Sequence, residues 1–437
     1  MSKHLIVISV DAMVYEDLCY GKTLLHLGRI INGGAIVERV RTIYPSLTHP
    51  VHATLITGRA AGGTGIVNNS IFDKICPIGG ADTWYNCLEQ IDCDTLLHAA
   101  KRAGFTTAVS SWPVTNGGNA VIDYLIPCAL NVDFVGYEDN PLGAYRALGA
   151  QEYVMDIIAE AVKRFGWRNK HPEVDDFQAF CSAEIIKRYK PNLLLTHPSY
   201  LDDIRHKYGV FSSNIKEALD KTDEWVGMIM DAVEEAGIAD STDYVLLSDH
   251  GQIEIKRTIS PNVYLCDAGL IETNKDGSLK DYTAFVKSAG ASAHVYLKDK
   301  NDTEACERVY SLLCHMAKEG IYGFSEVLTA DEARERYSLY GEFSFVLETD
   351  GYTSFGEWLT RPAVRPHDTS DYRFGRGTHG HMPERGPQPT LVGYGPSFVP
   401  GARVKHAEIT SHAPTLASAL GVKLRDADGL PIKEILA

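Results

Sequence analysis

Acidic and imidazole side chains follow several short apolar runs of this chain. Asp11 ends the first run, and Asp249 with His250 ends a later one. Asp202 and His206 come a few residues after a third run. A carboxylate or imidazole at the mouth of a buried strand costs free energy unless it is paired or binds a ligand. The pattern therefore predicts strand ends that converge on a metal site.

A late glycine-rich loop offers a further imidazole. In the segment 377–381, His379 lies between the two glycines of the segment, which let the backbone pass close to a ligand. Either His379 or His381 can act as a metal ligand. Asp202 and His206 are four residues apart, which places them on one face if the segment is helical.

Thr48 is the candidate nucleophile. The pattern after Thr48 predicts a helix with Pro50 in its first turn and Gly58 as its stop. Thr is a common N-cap, and from this segment alone a purely structural cap is a stronger interpretation than a nucleophile. However, a helix N-terminus also suits a phosphate, and a hydroxyl there becomes a good nucleophile when a metal deprotonates it.

The candidate ligands combine oxygen and nitrogen donors without thiolates. This donor set suits Zn²⁺, with Mn²⁺ as the alternative, and argues against iron–sulfur or copper sites. The supply is right for two metal ions about 4 Å apart, the spacing of two-metal hydrolytic sites. The candidate ligands are Asp11, Thr48, Asp202, His206, Asp249, His250 and His379.

The elements that must position these residues alternate between apolar runs and amphipathic stretches. This alternation predicts an α/β fold with a mostly parallel central sheet sandwiched by helices. Predicted strands are 4–10, 35–40, 106–110, 192–197, 244–248 and 390–394, and predicted helices are 94–103 with Asp94 as its cap, 176–189 and 214–236.

The stretch 252–375 breaks this alternation. It contains strand-like segments at 291–297 and 343–347, the second followed by an Asp350-Gly351 pair that predicts a hairpin turn. We therefore expect an inserted, largely antiparallel cap. The predicted boundaries are a core of 1–251 and 376–437, with a helical, polar insertion at about 132–180, and a cap of 252–375.

Composition narrows the class of protein. A net charge of −15 argues against binding to nucleic-acid polymers, which normally need a basic face. The nine cysteines include no CxxC pair, which favours ordinary reduced thiols. The N-terminal apolar run is too short to span a membrane. A soluble, cytoplasmic protein is expected, and a homo-oligomer stays open.

Taken in order, the motifs resemble the alkaline phosphatase superfamily, and within it the nucleotide pyrophosphatase/phosphodiesterase branch. The resemblance is carried by Asp11, Thr-x-Pro-x-His from Thr48, Asp-x-x-x-His from Asp202, Asp249-His250-Gly251 and a late His-Gly at His379. It implies that Thr48 becomes phosphorylated or nucleotidylated. It also implies that Asp11, Thr48, Asp249 and His250 hold one zinc, and that Asp202, His206 and His379 hold the other.

The resemblance extends to the substrate pocket. Asn69, at the end of the segment 65–69, matches an Asn that binds a nonbridging phosphoryl oxygen. Trp112 matches the pocket wall, although a lone aromatic residue is more often a core residue, and His49 stands where the family often has an aromatic residue. Further departures from the family pattern are Ala12 for Gly, Val51 for Asn and Arg205 for Gly. His49 and Arg205 are interpreted as determinants of a smaller or more anionic substrate, and the alternative for Arg205 is a solvated surface residue.

The function predicted from the resemblance is metal-dependent hydrolysis of a small-molecule phosphoric ester. Phosphodiesterase or nucleotide pyrophosphatase activity is the preferred prediction. A phosphomonoesterase or phosphonate hydrolase on the same site is the enzymatic alternative. A non-catalytic sensor of phosphate ligands is the alternative from another class, and the presence of both Thr48 and Asn69 argues against it.

Overall fold

The computed structural model describes residues 4–75, 77, 84–130, 132, 135–167 and 170–437. Its strands, in chain order, are β1 (His4–Ser9), β2 (Ala35–Arg41), β3 (Thr107–Ser110), β4 (Tyr124–Ile126), β5 (Leu193–Thr196), β6 (Thr242–Leu247), β7 (Ile253–Glu254), β8 (Arg257–Ile259), β9 (Ile271–Thr273), β10 (Leu279–Tyr282), β11 (Ala284–Ala289), β12 (Ser292–Leu297), β13 (Phe324–Thr329), β14 (Phe345–Thr349), β15 (Thr353–Phe355), β16 (Val364–Pro366), β17 (Gly377–Thr378), β18 (Leu391–Tyr394) and β19 (Arg403–Glu408).

Its α-helices, in chain order, are α1 (Leu18–Gly21), α2 (His26–Gly33), α3 (Thr48–Thr57), α4 (Ala61–Thr64), α5 (Leu96–Arg102), α6 (Pro141–Ala147), α7 (Met155–Phe165), α8 (Glu173–Tyr189), α9 (Tyr200–Tyr208), α10 (Ile215–Glu235), α11 (Pro261–Asp267), α12 (Thr303–Glu319), α13 (Ala330–Tyr337) and α14 (His412–Leu420). Among the described residues, no helix combines the length and the apolar character needed to cross a membrane.

An eight-stranded sheet in the order β19-β2-β18-β6-β1-β5-β3-β4 forms the centre of the molecule. β1 lies between β5 and β6 and is parallel to both, with Val7 opposite Leu195 on one side and Val245 on the other. β18 runs antiparallel to its neighbours β2 and β6. The predicted fold class, a mostly parallel sheet, is confirmed.

Helices cover both faces of this sheet. Successive side chains of β1 point to opposite faces, so Val7 packs in a cluster with residues of α3, α5 and α14, whereas Ile6 packs with residues of α2, α7, α8 and α10. The described part of 132–180 is helical, and its inner side is apolar rather than polar, because Ile158 and Phe177 are buried in the second cluster.

The region 252–375 contains an antiparallel sheet in the order β11-β12-β14-β13. This region has an apolar cluster separate from those of the central sheet, to which α12 contributes Val309 and Leu313. The predicted hairpin at Asp350-Gly351 is wrong, because β14 and β15 do not pair. β15 instead pairs in parallel with β8. The turn is held by Thr349 Oγ1, which donates to Thr353 O at 2.7 Å, and it redirects the chain into a different sheet.

The N-cap residues of two helices, α3 and α5, differ from those predicted. α3 ends at Thr57, and the predicted stop Gly58 is its C-cap, with φ 72 in the left-handed region. The N-cap of α3 is Leu47, so Thr48 is the first helical residue and not the cap. The cap of α5 is Thr95, whose hydroxyl accepts from the His98 N–H, whereas Asp94 pairs with Arg102. The predicted Asp94 cap is therefore wrong.

Candidate metal centre and active site

The carboxyl ends of adjacent parallel strands bring the predicted ligands together. β1 leads into Asp11, β6 leads into Asp249 and His250, and β5 leads into α9, which presents Asp202 and His206 on one face. The loop after β17 adds His379. Two groups of ligand atoms result, and within each group all atoms lie within 4.8 Å of one another: Asp11 with Asp249 and His250, and Asp202 with His206 and His379.

The first group is centred on His250. Its Nε2 lies 3.2 Å from Asp249 Oδ2 and 3.6 Å from Asp11 Oδ1. Thr48 Oγ1 lies 3.2 Å from the same nitrogen. All of these side chains except Thr48 are almost fully buried, and the Ala12 N–H donates to Asp249 Oδ1 at 3.1 Å, which fixes the orientation of that carboxylate.

The second group is oriented by backbone carbonyls. His206 Nδ1 donates to Gly377 O at 2.8 Å, and His379 Nδ1 donates to Ser46 O at 3.1 Å. Because a carbonyl only accepts, both imidazoles carry their proton on Nδ1 and leave the Nε2 lone pair for another partner, the usual arrangement of metal-binding histidines. The His250 and His379 rings stack at 3.9 Å, so the two groups adjoin.

Burial governs the electrostatics of this cluster. Burial, with the charges of Asp202 and Asp249, raises the pKa of Asp11 well above its usual range. Burial raises the pKa of Asp249 to about 7 and lowers the pKa of His379 to about 4. Burial lowers the pKa of His206, but the charge of Asp202, whose Oδ2 lies 3.1 Å from His206 Nε2, outweighs it, and the net pKa is raised. Carboxylates crowded together with imidazoles favour a cation in their midst.

The residues fit a pair of divalent ions. Among the described residues, Asp11 Oδ1, Asp249 Oδ2 and His206 Nε2 are buried without a hydrogen-bond partner. Buried polar atoms are normally satisfied, so these three keep capacity for a ligand. All the donor atoms are nitrogen or oxygen, and such a set suits Zn²⁺ and Mn²⁺.

Asn69 and Thr48 flank the entrance to the cluster. Asn69 Oδ1 accepts from the His49 N–H at 3.0 Å, which leaves the Asn69 amide as a donor toward the cavity that this residue lines. Thr48 Oγ1 points to the first ligand group, 3.2 Å from His250 Nε2, and the Thr48 carbonyl accepts from His52 Nδ1 at 2.7 Å. The hydroxyl is therefore available for chemistry.

The two predicted pocket residues lie in different environments. His49 lines a cavity, and its ring packs edge-on against Trp84 at 4.9 Å. Burial lowers the pKa of His49 to about 3, so the ring is neutral. Trp112 is 0% exposed and packs on His52 in the core, which corrects its assignment to the pocket wall. Trp84, not predicted from the sequence, lies at the cavity instead.

Arg205 fits neither of its predicted roles. It is 0% exposed, its guanidinium pairs with Asp17 Oδ2 at 2.5 Å, and its Nε donates to Ala12 O at 3.1 Å. It therefore ties α9 to the segment that follows β1. This contact holds Asp202 and Asp11 in register rather than touching a substrate.

His197 is a site residue that the sequence reasoning missed. Its Nε2 lies 3.3 Å from Asp11 Oδ2, and its Nδ1 donates to Ser9 O at 3.0 Å. The signal was present, because His197 directly follows β5 just as His250 follows the end of β6. His381, the alternative to His379, donates through Nδ1 to Met382 O and lies outside both ligand groups.

Two cavities meet at this cluster. The first, here called the cap cavity, has a volume of about 640 Å³ and is lined largely by residues of the region 252–375. The second, here called the core cavity, has a volume of about 780 Å³ and reaches Asp11 and Thr48. Asn69, Trp84, His206, Tyr372 and His379 line both cavities.

The fold and the cluster together define an α/β protein with a candidate two-metal centre at the carboxyl edge of its sheet. The family model described as type I phosphodiesterase/nucleotide pyrophosphatase matches residues 5–380, and the chain belongs to that family. The resemblance to the nucleotide pyrophosphatase branch of the alkaline phosphatase superfamily is thereby confirmed.

Relatives match over part of their length. Ectonucleotide pyrophosphatase/phosphodiesterase family member 1 of Rattus norvegicus is 24% identical over 283 residues, which are 61% of this chain and 26% of the rat protein. Venom phosphodiesterase of Naja atra is 22% identical over 256 residues, which are 56% of this chain and 26% of the venom protein. The match thus spans about a quarter of these relatives.

Solved structures match the whole fold. Murine ectonucleotide pyrophosphatase/phosphodiesterase 5, an inactive variant in complex with AMP, superimposes with a TM-score of 0.65 at 18% identity, covering 99% of this chain and 100% of that chain. The human protein of the same name gives a TM-score of 0.65 at 20% identity and covers 99% of each chain. At these identities the match establishes the fold alone.

Proposed function

We propose that this protein is a metal-dependent hydrolase of phosphoric diester or pyrophosphate bonds that acts through a covalent ester on Thr48. The observation that carries the proposal is the position of Thr48 Oγ1, 3.2 Å from His250 Nε2 at the N-terminus of α3. A hydroxyl at this place faces both the ligand cluster and the N–H groups of a helix end, which favour a phosphate.

The proposed ion sites follow the two ligand groups, with Thr48 added to Asp11, Asp249 and His250. Bound divalent ions, Zn²⁺ first and Mn²⁺ as the alternative, would supply activation of a hydroxyl or water and neutralisation of phosphoryl charge. The distances that support this assignment are those of the ligand atoms, within 4.8 Å in each group.

The protein's own residues then perform an in-line double displacement. Thr48 Oγ1 attacks phosphorus as its proton passes to solvent. The bond from phosphorus to the leaving oxygen breaks, and that oxygen takes the bonding electron pair and then a proton from solvent. The Asn69 amide donates to a nonbridging oxygen as its charge grows. Water next attacks the Thr48 ester from the opposite side, the bond between phosphorus and Oγ1 breaks, and Thr48 regains a proton.

A diester fits the site better than a monoester because two cavities open from it. The groups on either side of the phosphorus then each have a separate space. The names of the relatives and the AMP bound to the murine structure support a nucleotide-containing substrate. A cytoplasmic location and the absence of nucleic-acid polymer binding stay predictions.

The test compares Thr48→Ala with Thr57→Ala, a matched control in the same helix whose hydroxyl donates to Ala53 O and accepts from the Arg59 N–H, at the end of the helix away from the ligand cluster. We expect Thr48→Ala to lose at least about a thousandfold in kcat on bis(4-nitrophenyl) phosphate, the order seen when a catalytic nucleophile is removed. Thr57→Ala should retain activity. Metal content is measured on each sample, and full turnover by Thr48→Ala would overturn the proposal.

A further inference from the structure

Gln252 lies beside the second ligand group and takes no part in the proposed displacement. Its side chain is 0% exposed, and its Nε2 donates to Asp202 Oδ1 at 2.5 Å and to the Asp202 carbonyl at 3.2 Å. Both partners are oxygens that accept, so the NH₂ end of the amide is the end that faces Asp202. A buried amide therefore binds the one carboxylate of this group.

The two carboxylate oxygens of Asp202 have different partners. Oδ1 accepts from Gln252, whereas Oδ2 lies 3.1 Å from His206 Nε2. A carboxylate can bind an ion through one oxygen or through both. Because the amide engages Oδ1, Oδ2 is the oxygen left for an ion shared with His206 and His379.

The surrounding backbone holds Gln252 in this place. It directly precedes β7, which pairs with β17, the strand that leads to His379. A Cβ at Gly377 would lie 2.4 Å from Gln252 Oε1 and 2.7 Å from the Arg205 carbonyl, so glycine at this position leaves room for the amide. The Gly377 carbonyl in turn accepts from His206 Nδ1 at 2.8 Å. One side chain thus packs between the segments that present the three ligands.

The stability of the fold does not explain a glutamine at this position. Among the residues that the structure describes, Gln252 Oε1 is buried without a hydrogen-bond partner, and an unpaired buried acceptor costs roughly 1–3 kcal/mol. An apolar side chain of similar size would avoid that cost. The bond from Nε2 to Asp202 is therefore the property of this side chain that an apolar residue could not supply.

We infer that Gln252 is a positioning residue that makes the second ligand group prefer Zn²⁺ over Mn²⁺. By holding Oδ1 it limits Asp202 to one donor oxygen and the group to three protein donors. Three donors and one open position suit the tetrahedral geometry of catalytic Zn²⁺ sites, whereas Mn²⁺ favours more oxygen donors and gains from a second carboxylate oxygen. This inference rests on the proposed function, because it concerns an ion site of the same centre.

The first test measures ion binding by the full chain after chelation, with Zn²⁺ or Mn²⁺ titrated back against a chelating indicator. In Gln252→Leu, one of the two Zn²⁺ ions should bind about 10–100-fold more weakly, the range for loss of an outer-shell partner. The ratio of the Mn²⁺ Kd to the Zn²⁺ Kd at that site should fall at least about tenfold, because the freed Oδ1 favours Mn²⁺. The other ion should bind as in the wild type, since the amide bonds to a ligand of the second group.

A spectroscopic test addresses the carboxylate directly. Co²⁺ accepts the same nitrogen and oxygen donors, and its visible absorption weakens as its coordination number rises above four. Co²⁺-loaded Gln252→Leu should therefore absorb less strongly than the Co²⁺-loaded wild type, because Oδ1 becomes a further donor. Gln151→Leu is the matched control, since it removes a partly buried amide that donates to Ile122 O at 2.8 Å, outside both ligand groups. Its affinities and spectrum should equal those of the wild type.

The outcomes separate the two proposals. A wild-type chain that binds no divalent ion, or that is loaded and does not hydrolyse bis(4-nitrophenyl) phosphate, contradicts the proposed function. A wild-type chain that binds two ions and turns over, with unchanged affinities and Co²⁺ spectrum in Gln252→Leu, overturns this inference and leaves the function standing. Equal weakening of both ions also overturns it, because a purely structural role would affect both sites alike. Gln252→Met, which keeps the length of the side chain, takes the same measurements if Gln252→Leu does not fold.

Discussion

Ala12 adopts a left-handed backbone conformation with φ 56, directly after the ligand Asp11. Its N–H donates to Asp249 Oδ1 and its carbonyl accepts from Arg205 Nε, so the turn joins two ligand-bearing segments. A non-glycine residue in this region costs roughly 1–2 kcal/mol. The family's Gly at this position would avoid that cost. Ala12 keeps both hydrogen bonds, so the replacement of Gly by Ala leaves the site intact but strained.

We therefore predict that Ala12→Gly stabilises the protein by about 1 kcal/mol, since the relief of strain exceeds the added freedom of the unfolded chain. Chemical denaturation measures the free energy of unfolding. Ala99→Gly is the control, because Ala99 lies within α5 and should instead lose about 1 kcal/mol. A destabilised Ala12→Gly protein would show that the Ala12 methyl contributes packing that outweighs the strain.

Among the proposed metal ligands, Asp249 is the one whose loss should be most damaging to metal binding. Asp249→Ala is predicted to lose bound metal along with activity, because His250 and Asp11 are left incompletely coordinated. Elemental analysis of the purified variant measures the ratio of metal to protein. Asp231→Ala, on the exposed side of α10, serves as the control. Two ions per chain at wild-type affinity in Asp249→Ala would contradict the ligand assignment.

At the scale of single residues, sequence reasoning performed best where position along a strand carried the signal. Asp11, Asp249 and His250 were found because polar residues at strand ends are rare without a purpose. Trp112 and Arg205 were misread because their burial depends on neighbours far away in the chain. No local pattern shows that Asp17 lies beside Arg205.

Among the elements, the loop that carries His379 is fixed by contact with β11 and β12. Gly380 has φ 92, and a Cβ there would lie 1.8 Å from Ala289 O. The Ala291 N–H donates to His379 O at 2.8 Å, so the two backbones lie against each other. Through this contact, the region 252–375 fixes the position of His379, one of the proposed metal ligands.

Gly380→Ala is accordingly predicted to destabilise the protein by about 2–4 kcal/mol and to weaken metal binding, through overpacking added to backbone strain. Gly104→Ala is a matched control, because Gly104 also has positive φ, 78, but has nothing within 4 Å of the added Cβ. Comparing the two unfolding free energies isolates the steric part. Equal losses would contradict the close contact.

The start of α8 is held by an ion pair with a pH-dependent contribution. His171 Nδ1 lies 2.5 Å from Asp175 Oδ2. Burial lowers the pKa of His171, but the charge of Asp175 and the more distant Asp203 and Asp202 outweigh it, and the net pKa is raised. A raised histidine pKa stabilises the fold fully below the unfolded value of about 6.5, and this contribution is lost as pH rises through the folded pKa.

His171→Gln should therefore cost about 1 kcal/mol more at pH 5.5 than at pH 9. Urea unfolding at both values measures the difference. His315→Gln is the control, because its pair with Glu319 is largely exposed and such pairs contribute little. A cost for His171→Gln that is equal at both pH values would show that the charge of His171 does not contribute.

The predicted elements were recovered where apolar runs were long. All six predicted strands of the central sheet are present, whereas β4 and β19 were missed. β4 has three residues, and β19 carries exposed Arg403 and Lys405, so neither offers an apolar run to detect. The turn predicted at Asp350 is present, but the strands on either side of it do not pair with each other. Tertiary packing, which a local sequence pattern does not show, determines which strands pair.

On the scale of the whole molecule, metal and fold should be linked. The cluster brings three carboxylates together at the junction of β1, β5 and β6, with Asp11 and Asp249 buried and Asp202 partly exposed. A divalent ion that binds only the folded chain stabilises it by mass action. Prolonged chelation is predicted to lower Tm and abolish turnover, and Zn²⁺ or Mn²⁺ should restore both. At a free ion concentration of about 1,000 Kd the gain is about 4 kcal/mol.

The control for chelation is the Asp249→Ala variant, whose Tm should hardly respond to the chelator because its ions are already lost. A wild-type Tm and turnover that are indifferent to chelation would count against a metal-dependent centre. Equal shifts in both proteins would indicate that the chelator acts elsewhere.

The donors of the cluster are spread along the polypeptide from Asp11 to His379. During synthesis, the carboxylate after β1 emerges from the ribosome long before the imidazole that shares its cavity. A nascent chain therefore passes through lengths at which Asp11, Asp202 and Asp249 have all emerged while His379 is still missing. If the proposed function holds, catalytic competence is among the last properties this chain acquires, and a chain stopped before residue 379 would carry the proposed nucleophile Thr48 with an incomplete second ligand group.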